Sequence, residues 1–301
     1  MSKLYLYNNE SLSTYYIPQI SFNLTLSCNR KCTYCYVGNN PRNTTMSLQS
    51  FKYIVDMIND MDIMYNIHIL GGEPTILDNL VDYIQYLQSD NINKIVIMSN
   101  GYRPDDYFIP FEKISKLHMK FTYHPEYCTP EEFLTKCLSV NKMAFKFSTI
   151  IMIDSEQYLD SVIWLYNKLK EANIKTYIKI VHNDNYVSLL DKLKPIIDED
   201  DYPILYLKTE EGIYKDIKPL IYIEDRFFHG MFCNWYCKKY SMLDIMPNTL
   251  LKLSCSRDTI MRSALSKKFW SWYKLNYNKY YICTNIQCSY CTSEIPKYVE
   301  L

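Results

Sequence analysis

The chain has 301 residues, 48% of them hydrophobic and 22% charged. That is ordinary globular composition, on a length that suits one large or two medium domains. Lys plus Arg and Asp plus Glu number 33 each, so the chain carries no net charge and is a poor match for a protein that lives on a nucleic-acid backbone. Thirty tyrosines beside six glycines read as the codon bias of a low-GC genome, and they make each remaining glycine worth locating. The segment MSKLYLYNNESLS has no apolar core of signal-peptide type, and no stretch approaches 18 apolar residues. A reducing compartment, the cytoplasm, is therefore expected. There the 11 cysteines are better suited to metal or redox chemistry than to disulfides.

Strand-like runs rich in Ile, Val, Phe and Tyr occur at Ile20–Leu26, Asn66–Leu70, Lys94–Met98, His118–Tyr123, Phe145–Ile153 and Lys175–Val181. Helical periodicity falls between them. Leu48, Phe51, Ile54, Val55, Ile58 and Met61 share one face after Ser47 as N-cap. Leu80, Tyr83, Ile84 and Leu87 repeat the spacing. Thr129-Pro130-Glu131-Glu132 is a capping box with proline at the first helical position. Leu159, Trp164, Leu165 and Leu169 predict a further helix. Six strands alternating with helices predict a parallel sheet with right-handed crossovers, whose post-strand loops form one ligand face. Near residue 200 the pattern changes. Tyr202–Leu207 and Ile213–Ile223 read as strands round a turn at Thr209–Gly212, and six cysteines follow in the last 70 residues.

The first strand runs into Cys28-Asn29-Arg30-Lys31-Cys32-Thr33-Tyr34-Cys35. Three thiols in one short loop can hold a four-iron cluster while leaving one iron open, and an open position marks a catalytic rather than a structural metal. A zinc knuckle competes with this reading, but structural zinc wants four ligands and no fourth is near. The loop, with its aromatic Tyr34 before the last cysteine, resembles the signature of the radical S-adenosylmethionine (radical SAM) enzymes. The resemblance implies a partial (β/α)6 TIM-like barrel over residues 14–200. It makes Cys28, Cys32 and Cys35 the catalytic cluster ligands of a [4Fe–4S] centre that reductively cleaves S-adenosylmethionine (SAM) to a 5′-deoxyadenosyl radical. That radical takes hydrogen from a peptide or small-molecule substrate.

Further matches lie at the strand ends. Gly71-Gly72-Glu73-Pro74 spends two of the six glycines side by side. It resembles the family's GGE motif, whose backbone and glutamate bind the amino group of SAM. Ser99-Asn100-Gly101 resembles the end of the family's third strand, and an Asn-Gly turn competes with a ligand contact at Asn100. Thr122 stands where relatives place a ribose-contacting serine. His124 ends the fourth strand facing the predicted ligand side, with a structural hydrogen bond as the competing role. The resemblance thus implies Tyr34, Gly71, Gly72, Glu73, Pro74, Asn100, Thr122 and His124 as cofactor contacts. Cys128 and Cys137 have no metal spacing and read as inert buried thiols. Ser148 and Lys179 lie on strands, but alternation alone does not say which face either takes.

The remaining cysteines are Cys233, Cys237, Cys255, Cys283, Cys288 and Cys291. Their density signals metal, and Leu243–Cys255 reads as a hairpin round Pro247-Asn248 that brings Cys237 and Cys255 together. The pattern resembles the SPASM or shorter Twitch auxiliary-cluster domain of radical SAM enzymes, a small cysteine-rich α+β unit expected over 201–301. It departs from the full pattern: Tyr240 replaces a common glycine, and the seven-cysteine set is incomplete. One auxiliary [4Fe–4S] cluster is expected, ligated mainly by Cys237, Cys255, Cys288 and Cys291, with Cys233 and Cys283 in reserve. A structural zinc site is the alternative. The resemblance implies a reductant protein such as flavodoxin or ferredoxin as partner. It implies no membrane, and neutrality weighs against nucleic acid. No N-terminal peptide-recognition domain is apparent before the barrel. The competing function is a non-catalytic iron–sulfur or zinc protein that keeps the fold, and the GGEP segment argues against it.

Overall fold

The computed structural model describes residues 3–8, 17–35, 37, 43–181, 183–197, 205–209, 212–217, 234–238, 240–253, 262–283 and 297–300. The strands in chain order are β1 (Lys3–Asn8), β2 (Gln19–Thr25), β3 (Tyr65–Gly71), β4 (Ile92–Ser99), β5 (Leu117–Tyr123), β6 (Lys146–Ile153) and β7 (Thr176–Ile180). They continue with β8 (Leu205–Thr209), β9 (Gly212–Ile217), β10 (Tyr236–Cys237), β11 (Met242–Ile245), β12 (Leu250–Leu253), β13 (Arg262–Ser263), β14 (Tyr281–Ile282) and β15 (Lys297–Glu300). The helices are α1 (Leu48–Asn59), α2 (Leu80–Tyr86), α3 (Pro130–Val140), α4 (Leu159–Glu171), α5 (Tyr186–Leu193) and α6 (Lys267–Asn276).

Strands β2 to β7 lie side by side in chain order and pair parallel throughout. This is the expected α/β partial barrel. Alternation makes it work. Ile20, Phe22 and Leu24, then Ile67 and Ile69, Ile95 and Ile97, Met119 and Phe121, and Ile151 and Ile153 are all fully buried. They form the face that the helices cover. Phe22 meets Phe51 of α1 at 4.7 Å between ring centroids, and Phe51 meets Tyr83 of α2 at 5.1 Å. The expected caps form: Ser47 Oγ accepts from Ser50 N at 3.1 Å. Thr129 and Glu132 close a reciprocal capping box. Trp164 is instead 37% exposed, and α4 buries Val162, Leu165, Tyr166 and Leu169.

The other face of the strands carries the polar positions. His118 Nε2 lies 2.8 Å from Ser148 Oγ, and Lys120 Nζ sits 5.8 Å from the centre of the Tyr177 ring. These contacts put Ser148 and the Tyr177 strand on the concave side. Lys179, two residues along from Tyr177, shares that side.

Past β2 the sheet continues as β11, β12 and β13, with β11 parallel to β2. The Pro247-Asn248 hairpin forms as read, with Leu243 opposite Leu253. A second sheet runs β14-β10-β15-β1-β8-β9 and is antiparallel at every pairing. Its β8 and β9, on either side of the turn read at Thr209–Gly212, pair with Thr209 opposite Gly212. Two connections thus cross the division expected near 200: β1 pairs with β8 and β15, and β11 extends the barrel sheet. Among the described residues, no helix is long and apolar enough to cross a membrane.

Candidate active site at the barrel rim

The cysteine loop leaves the rim at the end of β2 and is held by the loops that follow β4 and β5. Lys31 N donates to Tyr127 Oη at 2.7 Å, and Thr33 Oγ1 donates to Glu126 Oε1 at 3.2 Å. Arg30 is buried. Its Nη2 donates to Asn100 O at 3.5 Å, and its guanidinium carbon lies 5.5 Å from the Tyr127 ring centre. Asn100 Nδ2 donates to Asn29 Oδ1 at 2.8 Å. Within the loop, Arg30 N donates to Cys28 Sγ at 3.4 Å, and Cys35 N closes a turn on Cys32 O at 3.1 Å.

Tyr34 and His124 stack at 6.0 Å with 11° between their planes. His124 Nδ1 lies 2.8 Å from Tyr34 Oη and 3.5 Å from Cys32 Sγ. Burial, with Arg30 adding to it, holds His124 down near 4. The imidazole is therefore neutral at pH 7. Burial pushes the Cys32 thiol up to about 11, helped by Glu126 and the Cys35 and Cys28 thiols, with Arg30 opposing. Three thiolates here repel one another unless a cation neutralises them. The donor set suits a soft, multiply charged iron cluster on that ground: three half-exposed free thiols on one loop, all capable of ligation once deprotonated. Among the described residues no three His, Cys, Asp or Glu side chains converge on one point.

The GGEP segment sits directly under this loop. Gly72 N donates to Thr25 O and Glu73 N to Ser27 O, both at 2.8 Å. A Cβ on Gly71, whose φ is +139°, would stand 2.2 Å from Thr25 O, and one on Gly72 would stand 2.2 Å from Ser27 O. The close approach that demands glycine is thus to the backbone leading into the cysteine loop. Glu73 lies just past the end of β3. Its carboxylate turns inward, buried, where Oε1 accepts from Thr75 N at 3.0 Å and Thr75 Oγ1 at 2.6 Å, and Oε2 accepts from Asn100 N at 2.7 Å. Burial raises the carboxyl above its usual range, and these hydrogen bonds oppose the rise. The side chain ties the end of β3 to the residue that follows β4. Pro74 is buried and opens a single 3-10 turn. Arg103 pins that turn through Nε to Thr75 O at 2.7 Å and Nη2 to Ile76 O at 3.0 Å.

Thr122 is half-buried on the concave face of β5. Gly101 has φ +70°, and a Cβ there would meet the Phe121 ring at 2.9 Å. Cys137 is buried as read, but Cys128 is half-buried, and its thiol is coupled to Arg30 beside the loop. Arg30, Tyr127 and Glu126 join the site unannounced by the sequence. Tyr127 and Glu126 lie just past His124, yet nothing in a lone Tyr or Glu signals a loop clamp 90 residues away.

Of the second cysteine set, Cys233, Cys255, Cys288 and Cys291 lie outside the described residues. Cys237 and Cys283 are both buried and share a small cluster with Met242. The adjoining strands β10 and β14 pair, and Cys283 N donates to Trp235 O at 2.7 Å. Tyr240 packs edge-on against Trp272 and Tyr281.

A six-stranded parallel half-barrel with a three-cysteine loop at the mouth of its first strand defines a class of metal-dependent enzyme folds. The family follows from comparison. Residues 22–187 match the model of the Radical SAM superfamily, and because that is more than half of the chain, the protein belongs to it. The chain is 32% identical over 82 residues to the antilisterial bacteriocin subtilosin biosynthesis protein AlbA of Bacillus subtilis. That match covers 27% of this chain and 18% of AlbA. It is 24% identical over 155 residues to 7-carboxy-7-deazaguanine synthase of Clostridium acetobutylicum, covering 49% of this chain and 66% of the relative. The chain thus spans less than two thirds of either relative. Among solved structures, Streptococcus suis SuiB bound to S-adenosylmethionine superposes with a TM-score of 0.60 at 15% identity, over 87% of this chain and 67% of SuiB. SuiB bound to its precursor peptide SuiA superposes at 0.57, with 14% identity, over 88% and 66%. At these identities the likeness is one of fold. Membership of the superfamily implies a [4Fe–4S] cluster and SAM.

Proposed function

We propose that the chain is a radical SAM enzyme acting on a peptide or small-molecule substrate, with Cys28, Cys32 and Cys35 as the cluster ligands. When bound, the cluster supplies the electron that cleaves SAM reductively to a 5′-deoxyadenosyl radical able to take hydrogen from substrate. The observation that carries this reading is the seam between the GGEP segment and the cysteine loop. Two backbone hydrogen bonds and two obligatory glycines fix the SAM-binding strand end against the metal loop. The residues around the thiols then have distinct tasks. Arg30, Tyr127 and Glu126 hold the loop from outside. Tyr34 and His124 stack as a wall beside Cys32 and shield it from water. The backbone of Gly71–Glu73 and the Asn100 and Thr122 side chains offer polar contacts to SAM. A peptide substrate is favoured because SuiB, whose fold this chain shares, binds a precursor peptide. A flavodoxin or ferredoxin is the proposed reductant.

A second, auxiliary cluster is part of the proposal, held by the C-terminal cysteines. The four ligands are drawn mainly from Cys237, Cys255, Cys288 and Cys291, and the shared burial of Cys237 and Cys283 makes Cys283 the first reserve ahead of Cys233. Elemental analysis of anaerobically purified protein tests both sites. Two clusters give about eight irons per chain, of which about four remain when Cys28, Cys32 and Cys35 are all replaced by Ala. About four irons and one zinc would assign the second site to zinc instead.

A further inference from the structure

The concave face of the six parallel strands concentrates positive charge. Alternation places Lys94 on β4, His68 on β3, His118 and Lys120 on β5, Lys146 and Ser148 on β6, and Tyr177 and Lys179 on β7 on this side. Val96 and Ser148 are buried on this same face, while Ile67, Ile69, Ile95, Ile97, Met119 and Phe121 take the opposite one. No Asp or Glu lies within β2 to β7 at all, although acids and bases balance over the whole chain at 33 each. The one carboxylate on the continuing sheet is Asp244 of β11, in register with Ser21, which in turn is in register with His68. It is hydrogen-bonded to the Ser21 side chain and pairs with Lys252 on β12, on the side of the sheet away from β4 to β7.

The charge extends into the concavity. His68 and His118 are both held down near 3, first by burial and then by Lys120 and Lys94, which act on both. Lys120 is also drawn over the Tyr177 ring, a contact that places its ammonium within the concavity. Concentrated like charge on one face costs stability through self-repulsion, and an anion brought there would relieve it.

The spacing separates one anion from several. Lys120 is in register with Met98, four residues above Lys94, and with Ser148, four residues below Met152, the partner of Lys179. At about 3.3 Å per residue the three lysines stand at levels about 13 Å apart along the strands. A single phosphate cannot bridge them. An extended chain covers the same interval in about four residues.

We propose that this basic inner face binds the carboxylates of an acidic peptide substrate, with Lys94, Lys120 and Lys179 each taking one side chain along its length. The proposal deepens the peptide reading above and rests on it. In this arrangement the lower lysines draw the acidic segment into the barrel, and Lys179, nearest the rim, holds it beneath the SAM site.

The test uses the reconstituted full chain and fluorescence anisotropy with labelled nine-residue peptides. One carries Glu at positions 1, 5 and 9 in a serine background, and its counterpart carries Gln there. The Glu peptide should bind at least ten-fold more tightly than the Gln peptide, and more weakly as salt rises. Lys120→Gln and Lys179→Gln should each weaken it several-fold. Lys52→Gln, on the outer surface of α1, should leave it unchanged. Lys179 is exposed, so its variant reports even if Lys120→Gln folds poorly. Equal binding of the two peptides would overturn the proposal. So would displacement of the Glu peptide by stoichiometric inorganic phosphate, which would mean a single-anion site. SAM affinity is measured on the same samples. A Lys120→Gln protein that loses SAM but keeps the peptide would also overturn the proposal, assigning the lysine to the cofactor. Selective Glu-peptide binding in a wild type that fails to bind SAM would leave the inner face standing and sink the radical SAM reading instead.

Discussion

Replacing Gly72 by Ala tests how tightly the GGEP segment and the cysteine loop are joined. The new methyl would stand 2.2 Å from Ser27 O, 2.7 Å from Ser27 C and 2.8 Å from Leu26 O. All three are backbone atoms, so no side chain can swing away to make room. The seam must open by about an ångström, which breaks or stretches the hydrogen bonds from Gly72 N to Thr25 O and Glu73 N to Ser27 O. Two such bonds contribute about 1–3 kcal/mol, and overpacking adds about 1–3 kcal/mol. A total of about 2–6 kcal/mol corresponds to a fall in melting temperature of roughly 3–10 °C at this chain length. Because the displaced backbone leads straight into Cys28, iron content after reconstitution should fall with it. Differential scanning fluorimetry and iron assay on the anaerobic variant give both numbers. A Gly72→Ala protein that melts within 2 °C of wild type and holds full iron would refute the claim that these glycines serve the backbone seam.

Three further outcomes follow from the geometry. Glu73→Ala strips the acceptor from three buried donors and should cost about 2–5 kcal/mol, with Thr75 Oγ1 keeping Ser99 as a partner. Chemical denaturation measures this, and a stability loss under 1 kcal/mol would return the carboxylate to ligand binding. His68 and His118 bind protons in the unfolded chain near 6.5 but in the folded chain only near 3. Stability should therefore rise with pH between those values, by up to about 1.4 kcal/mol per unit for each histidine. Melting curves from pH 5 to 6.5 should be flatter in His68→Asn, and an unchanged slope would contradict the burial argument. Lys179→Gln should weaken acidic-peptide binding several-fold without loss of SAM affinity.

The barrel was legible because its strands carry unbroken apolar faces and its helices carry explicit caps, as at Ser47 and Thr129. The metal loop was legible because three cysteines in eight residues have few other uses. What the sequence hid is what depends on distant pairing. Lys3–Asn8 is a short alternating run, but its partners lie about 200 and 290 residues away, and no local signal announces either. The α6 helix has a good cap, Ser266, whose side chain accepts from Phe269 N, yet its apolar stripe of Phe269, Trp270 and Tyr273 is short and aromatic. The inward turn of Glu73 depends on Thr75 close by and on Asn100 just past β4, and spacing within the GGEP segment cannot reveal the second. The concave charge was hidden too, since Lys94, Lys120 and Lys179 sit on three strands and align only through the register.

The central claim is that Cys28, Cys32 and Cys35 hold a cluster that cleaves SAM. The most direct measurement is 5′-deoxyadenosine, followed by mass spectrometry after anaerobic reconstitution, addition of SAM and reduction with dithionite. Wild type should release 5′-deoxyadenosine and Cys32→Ala should release none, with the barrel still folded by circular dichroism. Equal release from Cys32→Ala, or none from an iron-replete wild type, would contradict the account.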